Sequence, residues 1–142
     1  MDKLKEIVFN DNPLISINDA KNYNVLVFAY VGDAVFSLIV RSYFTISSLS
    51  KAGILNSKVN NIVRASTQSK MYDYIEDKLL EQELRICKSA RNIHTNNVAK
   101  NSNLEEYKKA TSFEALIGYL YLVGDKERLN EILHISFEIL NN

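Results

Sequence analysis

Residues that break helices or cross-link the chain are scarce in this sequence. Its 142 residues include one proline, four glycines, one cysteine and no tryptophan. Because proline and glycine end helices most often, their scarcity leaves room for long uninterrupted helices. The lone cysteine, Cys87, can form neither an internal disulfide nor a cysteine-ligated metal cluster. We expect it to be an inert helix residue.

Signals for export, membrane insertion and common cofactors are also missing. The first residues, MDKLKEIVFNDN, carry scattered charges and lack the apolar core of a signal peptide. No apolar run approaches the ~20 residues that span a bilayer, so we expect a cytoplasmic protein without membrane contact. No phosphate-binding loop, dinucleotide fingerprint, nucleophile elbow or clustered zinc-ligand pattern is present. A nucleotide cofactor is therefore not expected.

The length and the hydrophobic content predict one folded domain over residues 1–142. Domains commonly contain ~100–150 residues, which leaves no room for a second one. Hydrophobic residues make up 46% of the chain. That fraction is enough for a core and excludes disorder as the dominant state.

Charge is balanced overall but unevenly distributed along the chain. Lysine plus arginine and aspartate plus glutamate number 17 each. Residues 51–110 carry eleven basic and seven acidic side chains, whereas the segments before and after them are net acidic. A phosphate-binding surface, if present, is therefore expected in the middle of the chain.

Helical periodicity covers most of the sequence. After a break at Pro13, Asn18 or Asp19 can cap a helix. Residues 56–69 have the pattern of a polar, basic helix, and the helical period continues over residues 71–90. The pattern then stops, and the asparagine-rich residues 91–103 are expected to form an exposed loop.

Two further helices are predicted after this loop. Ser102 and Glu105 have the spacing of a capping box, which begins a helix that runs to Gly124. Glycine at that position suits a left-handed C-terminal cap. Asp125 can then cap a final helix through Leu140.

The apolar segment 25–44, VLVFAYVGDAVFSLIVRSYF, has two interpretations. It can be one buried helix, or a strand VLVFAYV followed by a helix capped at Asp33. Periodicity does not separate them, because short apolar runs suit buried strands and buried helices alike. All other periodic segments are helical, and a lone strand would have no partner to pair with. We therefore favour one helix and an all-α fold.

Two carboxylates, Asp33 and Glu114, lie inside apolar segments. Burying a charge there costs on the order of several kcal/mol in folding free energy unless a partner or an ion compensates it. Small residues surround each acid: Asp33 follows Gly32 and has Ala29 and Ser37 one helical turn away, and Glu114 has Ala110, Thr111 and Gly118 at helical spacing. Two carboxylates on different helices, with room for water and a phosphate, suit a hard divalent cation. The alternative is structural: Asp33 caps a helix, and Glu114 pairs with a nearby lysine, Lys108 or Lys109.

Two groups of polar side chains could hold a polyanion. The loop contributes Arg91, Asn92, His94, Lys100 and Asn101, and the helix before it contributes Lys58, Arg64, Ser66 and Gln68. Guanidinium, amide and ammonium groups can contact phosphates and riboses without reading bases. A merely solvated polar surface is the alternative for both groups.

Two segments resemble the motifs of the ribonuclease III family. FAYVGDAVFSLIVRSYF resembles the family's signature helix, and SFEALIGYLYL resembles its second acidic motif, in the same order and at about the same separation. The tripeptides ARN and AKN in the loop, without an appended double-stranded-RNA-binding domain, resemble the Mini-ribonuclease III branch. The resemblance runs from about Leu26 to Leu133.

The resemblance implies a magnesium-dependent endonuclease for double-stranded RNA. Asp33 and Glu114 would bind Mg²⁺ and orient the water that attacks a phosphodiester, without a covalent intermediate. The implied substrate is a paired stem in the precursor of large-subunit (23S) ribosomal RNA. RNA contacts are expected from Arg91, Asn92, Lys100, Asn101, Lys58, Arg64 and Gln68.

The resemblance also implies an all-α homodimer with the ribonuclease III endonuclease-domain fold. The signature helices would pack across a two-fold axis and form a valley with an active site at each end. Phe28, Tyr30 and Phe36 would then be buried between the subunits. A second function class also fits the sequence: a non-catalytic helical module that binds RNA or the ribosome.

The chain departs from the family pattern at five positions. Leu26, Ala29 and Thr111 stand where the larger enzymes carry additional acids, which leaves the rest of a metal shell to water, backbone or RNA. His94 and Ala99 stand in the loop where lysine and proline are common. RNA affinity is expected to differ accordingly.

Overall fold

The computed structural model describes residues 13–48, 51–92 and 103–141, and within these ranges it contains helices and no strand. The all-α prediction is therefore confirmed. The α-helices are α1 (Ile17–Ala20), α2 (Val25–Ser48), α3 (Ala52–Val63), α4 (Ala65–Ile75), α5 (Glu81–Asn92), α6 (Leu104–Leu122) and α7 (Lys126–Phe137). Short 3-10 helices, Glu76–Lys78 and Glu138–Asn141, follow α4 and α7.

The apolar segment 25–44 lies entirely within α2, so the one-helix interpretation is correct. At the start of α2, the side chain of Asn24 accepts a hydrogen bond from the backbone N–H of Leu26 at 2.9 Å.

By length and composition α2 is long and apolar enough to cross a membrane. The expectation that no segment reaches this length is therefore wrong. Core helices of soluble proteins pass the same test, and α2 places Phe36 and Val40 in the core.

Helices α2 and α6 cross with their backbones in contact, and two glycines permit this approach. A Cβ atom at Gly32 would overlap the carbonyl oxygen of Glu114, and one at Gly118 would overlap the carbonyl oxygen of Phe28. Each glycine therefore lies where only a hydrogen atom fits. Side chains that are close to these glycines in sequence are held together by the crossing.

The described residues share one hydrophobic core, and α6 contributes most to it. Phe36 of α2 packs edge to face on Phe113 of α6, with ring centroids 5.1 Å apart. Cys87 of α5 lies buried against the same helix, where the hydroxyl of Ser112 donates to the Cys87 carbonyl oxygen at 2.7 Å. Burial raises the pKa of the Cys87 thiol, which agrees with an inert helix residue.

The predicted helix 56–69 is interrupted at Arg64, whose backbone is extended with φ −68° and ψ 155°. Two side chains of the following turn donate to carbonyl groups at the end of α3: the Thr67 hydroxyl to Asn61 at 2.6 Å, and the Gln68 amide to Val63 at 2.8 Å. These carbonyls would otherwise lack partners at a helix terminus. The helical period over residues 71–90 is likewise interrupted, by the 3-10 helix Glu76–Lys78.

The first two caps differ from those predicted. Ser16 caps α1, because its hydroxyl accepts from the N–H of Asp19, and neither Asn18 nor Asp19 is the cap. Asn103 caps α6, and Ser102 lies outside the described residues. In both cases a small polar side chain close to the predicted position satisfies the backbone donors of the first helical turn.

The caps predicted near the C-terminal end are confirmed. Gly124 has φ +75°, in the left-handed region that favours glycine. The side chain of Asp125 accepts from the N–H of Arg128 and caps α7. The α-helix ends at Phe137 rather than at Leu140, and a 3-10 helix continues from there.

A buried ion pair joins α5 to α7. Glu83 is 3% exposed, and its two carboxylate oxygens accept from Nε and Nη2 of Arg128, each at 2.8 Å. The backbone N–H of Leu80 also donates to Glu83, and Arg128 donates to the Lys78 carbonyl oxygen. Every polar group of this buried acid therefore has a partner.

Candidate active site

The structure brings Asp33 and Glu114 together at the crossing of α2 and α6. Asp33 directly follows Gly32, and Glu114 precedes Gly118 by one helical turn. The Asp33 side chain is exposed, whereas Glu114 is partly buried. Their carboxyl groups lie within hydrogen-bonding reach of each other. The two acids selected from the sequence therefore form one site.

This pairing changes the acidity of Glu114. Burial raises the pKa of the Glu114 carboxyl, and the hydrogen bond and charge of Asp33 raise it further, to about 8. The Gln68 amide acts in the opposite direction, because it donates a hydrogen bond to the charged carboxylate. A second negative charge at this position is therefore unfavourable unless a positive charge accompanies it.

Neither structural alternative for these acids is observed. Lys109 forms an ion pair with Asp73 at 2.9 Å, and no described lysine or arginine forms an ion pair with Glu114 or Asp33. Asp33 lies in the interior of α2 and caps no helix. Within the part of the chain that the structure describes, the two carboxylates are left without a compensating cation.

The donor set suits a divalent cation that prefers oxygen ligands. Asp33 and Glu114 supply carboxylate oxygens, and the neighbouring side-chain oxygen of Gln68 is buried without a hydrogen-bond partner. Among the described residues no cluster of three or more histidine, cysteine, aspartate or glutamate side chains is found. A bound ion of the magnesium type would therefore keep positions for water or substrate.

The residues predicted to contact RNA from the loop are only partly described. Arg91 forms ion pairs with Glu105 at 3.4 Å and Glu76 at 3.8 Å, and these pairs tie the end of α5 to its neighbours. Asn92 is exposed at the last position of α5. The remaining members lie outside the described residues: His94, Lys100 and Asn101. RNA contact by this loop stays a prediction.

The polar residues of 58–68 do not form one surface stripe, because the break at Arg64 separates them. Lys58 lies on α3, and the exposed Arg64 lies at the break. Gln68 is 2% exposed, so its prediction as a surface contact to RNA is wrong. Its place in the core was visible in the sequence, since it shares an i, i+3, i+4, i+7 pattern with Met71, Tyr72 and Ile75, which are all buried.

An apolar groove of about 550 Å³ opens beside Asp33 along the exposed face of α2. Its lining includes Tyr30, Val31, Val35 and Leu38. Tyr30 is 80% exposed, whereas Phe28 and Phe36 are buried in the core of this chain. The prediction that these two phenylalanines lie between subunits is therefore wrong. Further along α2, Tyr43 and Ile46 are also exposed, and they lie outside the groove.

Comparison with known proteins gives consistent matches. Residues 26–125 match the family model described as Ribonuclease III domain. The Mini-ribonuclease 3 of Clostridium tetani is 41% identical over 124 residues, which cover 85% of this chain and 81% of the relative. That of a Thermoanaerobacter species is 33% identical over 140 residues, 99% of each chain. A crystal structure of a Fusobacterium nucleatum protein has a TM-score of 0.76 at 33% identity, and the match covers 84% of this chain and 96% of that one.

Proposed function

Because this chain belongs to the ribonuclease III family and is an endoribonuclease, we propose that it hydrolyses double-stranded RNA with Mg²⁺ held by Asp33 and Glu114. One observation carries the proposal: two carboxylates face each other at a backbone-to-backbone helix crossing, and none of the described lysine or arginine side chains forms an ion pair with them. A structural pair of acids would have partners, as buried charges normally do. The proposed catalytic domain comprises residues 1–142.

The two acids have different parts in the proposed mechanism. The exposed Asp33 borders the groove and can approach the scissile phosphate, whereas the partly buried Glu114 provides a fixed ligand. Glu114 must lose its proton before it can bind a cation. Bound Mg²⁺ would supply Lewis-acid stabilisation of the phosphate charge and would make a water more acidic. No nucleophilic side chain is required.

The proposed substrate is a paired RNA stem, and in the cell the stem that flanks the 23S ribosomal RNA precursor. The net positive charge of residues 51–110 supports contact with the RNA backbone. We assign this contact to Lys58, Arg64, Arg91 and Asn92, together with Lys100 and Asn101, which lie outside the described residues. The proposed site of action is the cytoplasm.

We also propose that the active form is a homodimer. The exposed face of α2 carries three large apolar side chains at helical spacing, Val27, Tyr30 and Leu38, and adjoining exposed apolar side chains of this kind mark interaction surfaces. A second copy that packs on this face would bury it and would leave Asp33 at the edge of the interface. Light scattering on the wild type and on Leu38→Glu tests this: the wild type should be dimeric and the variant monomeric.

The proposed activity is tested by incubating the purified protein with long double-stranded RNA and with single-stranded RNA of the same length, with Mg²⁺ or with EDTA. Gel analysis should show cleavage of the duplex alone and only with Mg²⁺. Asp33→Asn serves as the catalytic control, because it keeps the volume of the side chain and removes its charge. Binding of duplex RNA without any cleavage would instead support the non-catalytic RNA-binding module.

A further inference from the structure

Gln68 occupies a position that neither the charge pattern nor the two acidic residues explain. It lies in the first turn of α4, 2% exposed, and its Nε2 donates to the Val63 carbonyl oxygen at 2.8 Å. The same amide lies beside the Glu114 carboxyl on α6. Gln68 therefore connects the end of α3 to one of the two acids.

The side-chain oxygen of Gln68 has no hydrogen-bond partner among the described residues, although it is buried. Buried polar atoms in folded proteins nearly always have a partner, and an unpaired one costs about 1–3 kcal/mol. A leucine or methionine would fill this position without that cost. The amide is therefore unfavourable for packing alone, and its position beside Glu114 suggests a role in the site.

The break at Arg64 fixes where this amide lies. Thr67 donates to the Asn61 carbonyl oxygen and Gln68 donates to that of Val63, so the first turn of α4 is held to the end of α3 at two points. Of these two buried side chains, Gln68 also contacts Glu114. Thr67 therefore provides a matched control, because it makes the same kind of hydrogen bond to the end of α3 without the contact to Glu114.

We propose that Gln68 is a positioning residue of the active site: its amide, anchored on Val63, holds the Glu114 carboxylate in place, and its unpaired oxygen accepts a hydrogen bond from a water molecule of the site. The inference rests on the proposed function, because it concerns the same metal-binding carboxylates. Gln68 acts through Glu114 and water, and not through contact with RNA. Its removal should therefore weaken cation binding and the rate of cleavage, but not RNA affinity.

The test compares Gln68→Met with Thr67→Val. Methionine has a similar length and suits a core, so the variant should fold. Mn²⁺ affinity is measured by calorimetry on the RNA-free protein, and kcat and KM are measured with duplex RNA. Gln68→Met should lose about tenfold or more in Mn²⁺ affinity, as removal of groups that orient metal ligands typically does, and kcat should fall at unchanged KM. Thr67→Val should lower Tm and leave Mn²⁺ affinity unchanged.

Two results would overturn the inference: wild-type Mn²⁺ affinity in folded Gln68→Met, or an equal loss of affinity in Thr67→Val. If Gln68→Met does not fold, Gln68→Asn, which withdraws the amide by one methylene, replaces it with the same expected loss. The activity of the wild type distinguishes a failure of the proposed function from a failure of the proposed role of Gln68. A wild type that cleaves no duplex RNA contradicts the proposed function, whereas an active wild type with an unaffected variant contradicts only the role of Gln68.

Discussion

Two glutamates of this fold, the buried Glu83 and the partly buried Glu114, differ in every partner. Glu83 accepts two hydrogen bonds from Arg128 and one from a backbone N–H. Glu114 faces a second carboxylate, Asp33, and an amide. Hydrogen bonding to Glu83 raises the pKa of Arg128, so the guanidinium is held in its charged form, whereas the pKa of Glu114 is raised to about 8.

Glu83 therefore stabilises the fold through its partners, whereas Glu114 does not. A buried charge with a cation and hydrogen bonds contributes to a fixed structure, although its removal together with its partner is often neutral. A buried carboxyl beside a like charge opposes folding and is retained for another purpose. Substitutions in the two pairs and at the helix crossing test this contrast.

Removing either charge of the acid pair should abolish cleavage. Asp33→Asn and Glu114→Gln should each reduce kcat by about a thousandfold or more, since a preorganised electrostatic contribution of this kind is lost. Both variants should be at least as stable as the wild type, because the cost of holding the Glu114 carboxyl partly buried beside a second acid is removed. Single-turnover cleavage and thermal unfolding measure the two effects. Near-wild-type cleavage by either variant would rule out the two-carboxylate site.

Removing the cation of the other pair should have the opposite effect. Arg128→Met leaves Glu83 buried and unpaired, and should cost about 3–5 kcal/mol in the free energy of unfolding. The folded fraction should cleave RNA at the wild-type rate. The double variant Glu83→Leu/Arg128→Met is the control, and urea denaturation should show most of the stability restored. A loss below about 1 kcal/mol in the single variant would contradict the assigned role of the pair.

Separating the two helices should impair both the fold and the site. In Gly32→Ala the new Cβ atom overlaps the Glu114 carbonyl oxygen, so α2 and α6 must move apart. Overpacking of this kind costs about 1–3 kcal/mol, and more where backbone atoms clash. Gly53→Ala on α3 is the matched control, because nothing lies near its Cβ position. Equal stability and equal activity in the two variants would show that the crossing is not close.

The raised pKa of Glu114 predicts how stability depends on pH without metal. The folded carboxyl keeps its proton up to about pH 8, whereas an unfolded glutamate releases it near pH 4.3. The folded state therefore binds more protons between these values, and stability should fall as pH rises through this window. Urea unfolding in EDTA should show this slope in the wild type. Glu114→Gln should lack the corresponding fraction of it, and an identical slope would exclude Glu114 as its source.

The smallest effect is expected at the lysine that neighbours the acid in sequence. Lys109 pairs with Asp73 rather than with Glu114, and both partners are partly exposed. Lys109→Met should cost no more than about 1 kcal/mol and should leave cleavage unchanged. Thermal unfolding and duplex cleavage measure both effects. A large change in kcat would contradict this prediction and would indicate that Lys109 interacts with Glu114.

The helices and the two acids could be predicted because each depends on local pattern. A charge in an apolar helix is visible in sequence, and so is the glycine that follows the last turn of α6 at Gly124. The resemblance of two motifs added the order and separation of Asp33 and Glu114. These features require no knowledge of which helices pack together.

The wrong predictions concern side chains whose role depends on a distant neighbour. The helical spacing of Gln68 with buried Met71 and Tyr72 could have indicated its burial, but only the packing of α4 on α6 places it beside Glu114. Phe28 and Phe36 share α2 with exposed Tyr30, and only the contact of α2 with α6 shows which side of the helix enters the core. The break at Arg64 carries neither proline nor glycine, so no local signal marks it.

The glycine crossing also makes the site transferable. The distance between the Asp33 and Glu114 Cα atoms is set by two backbones that touch at Gly32 and Gly118, and not by the packing of large side chains. A protein designer could therefore replace much of the surrounding core without changing that distance. By the same reasoning, a graft of the two acids onto another helical scaffold would require an equally close crossing and an amide in the position of Gln68.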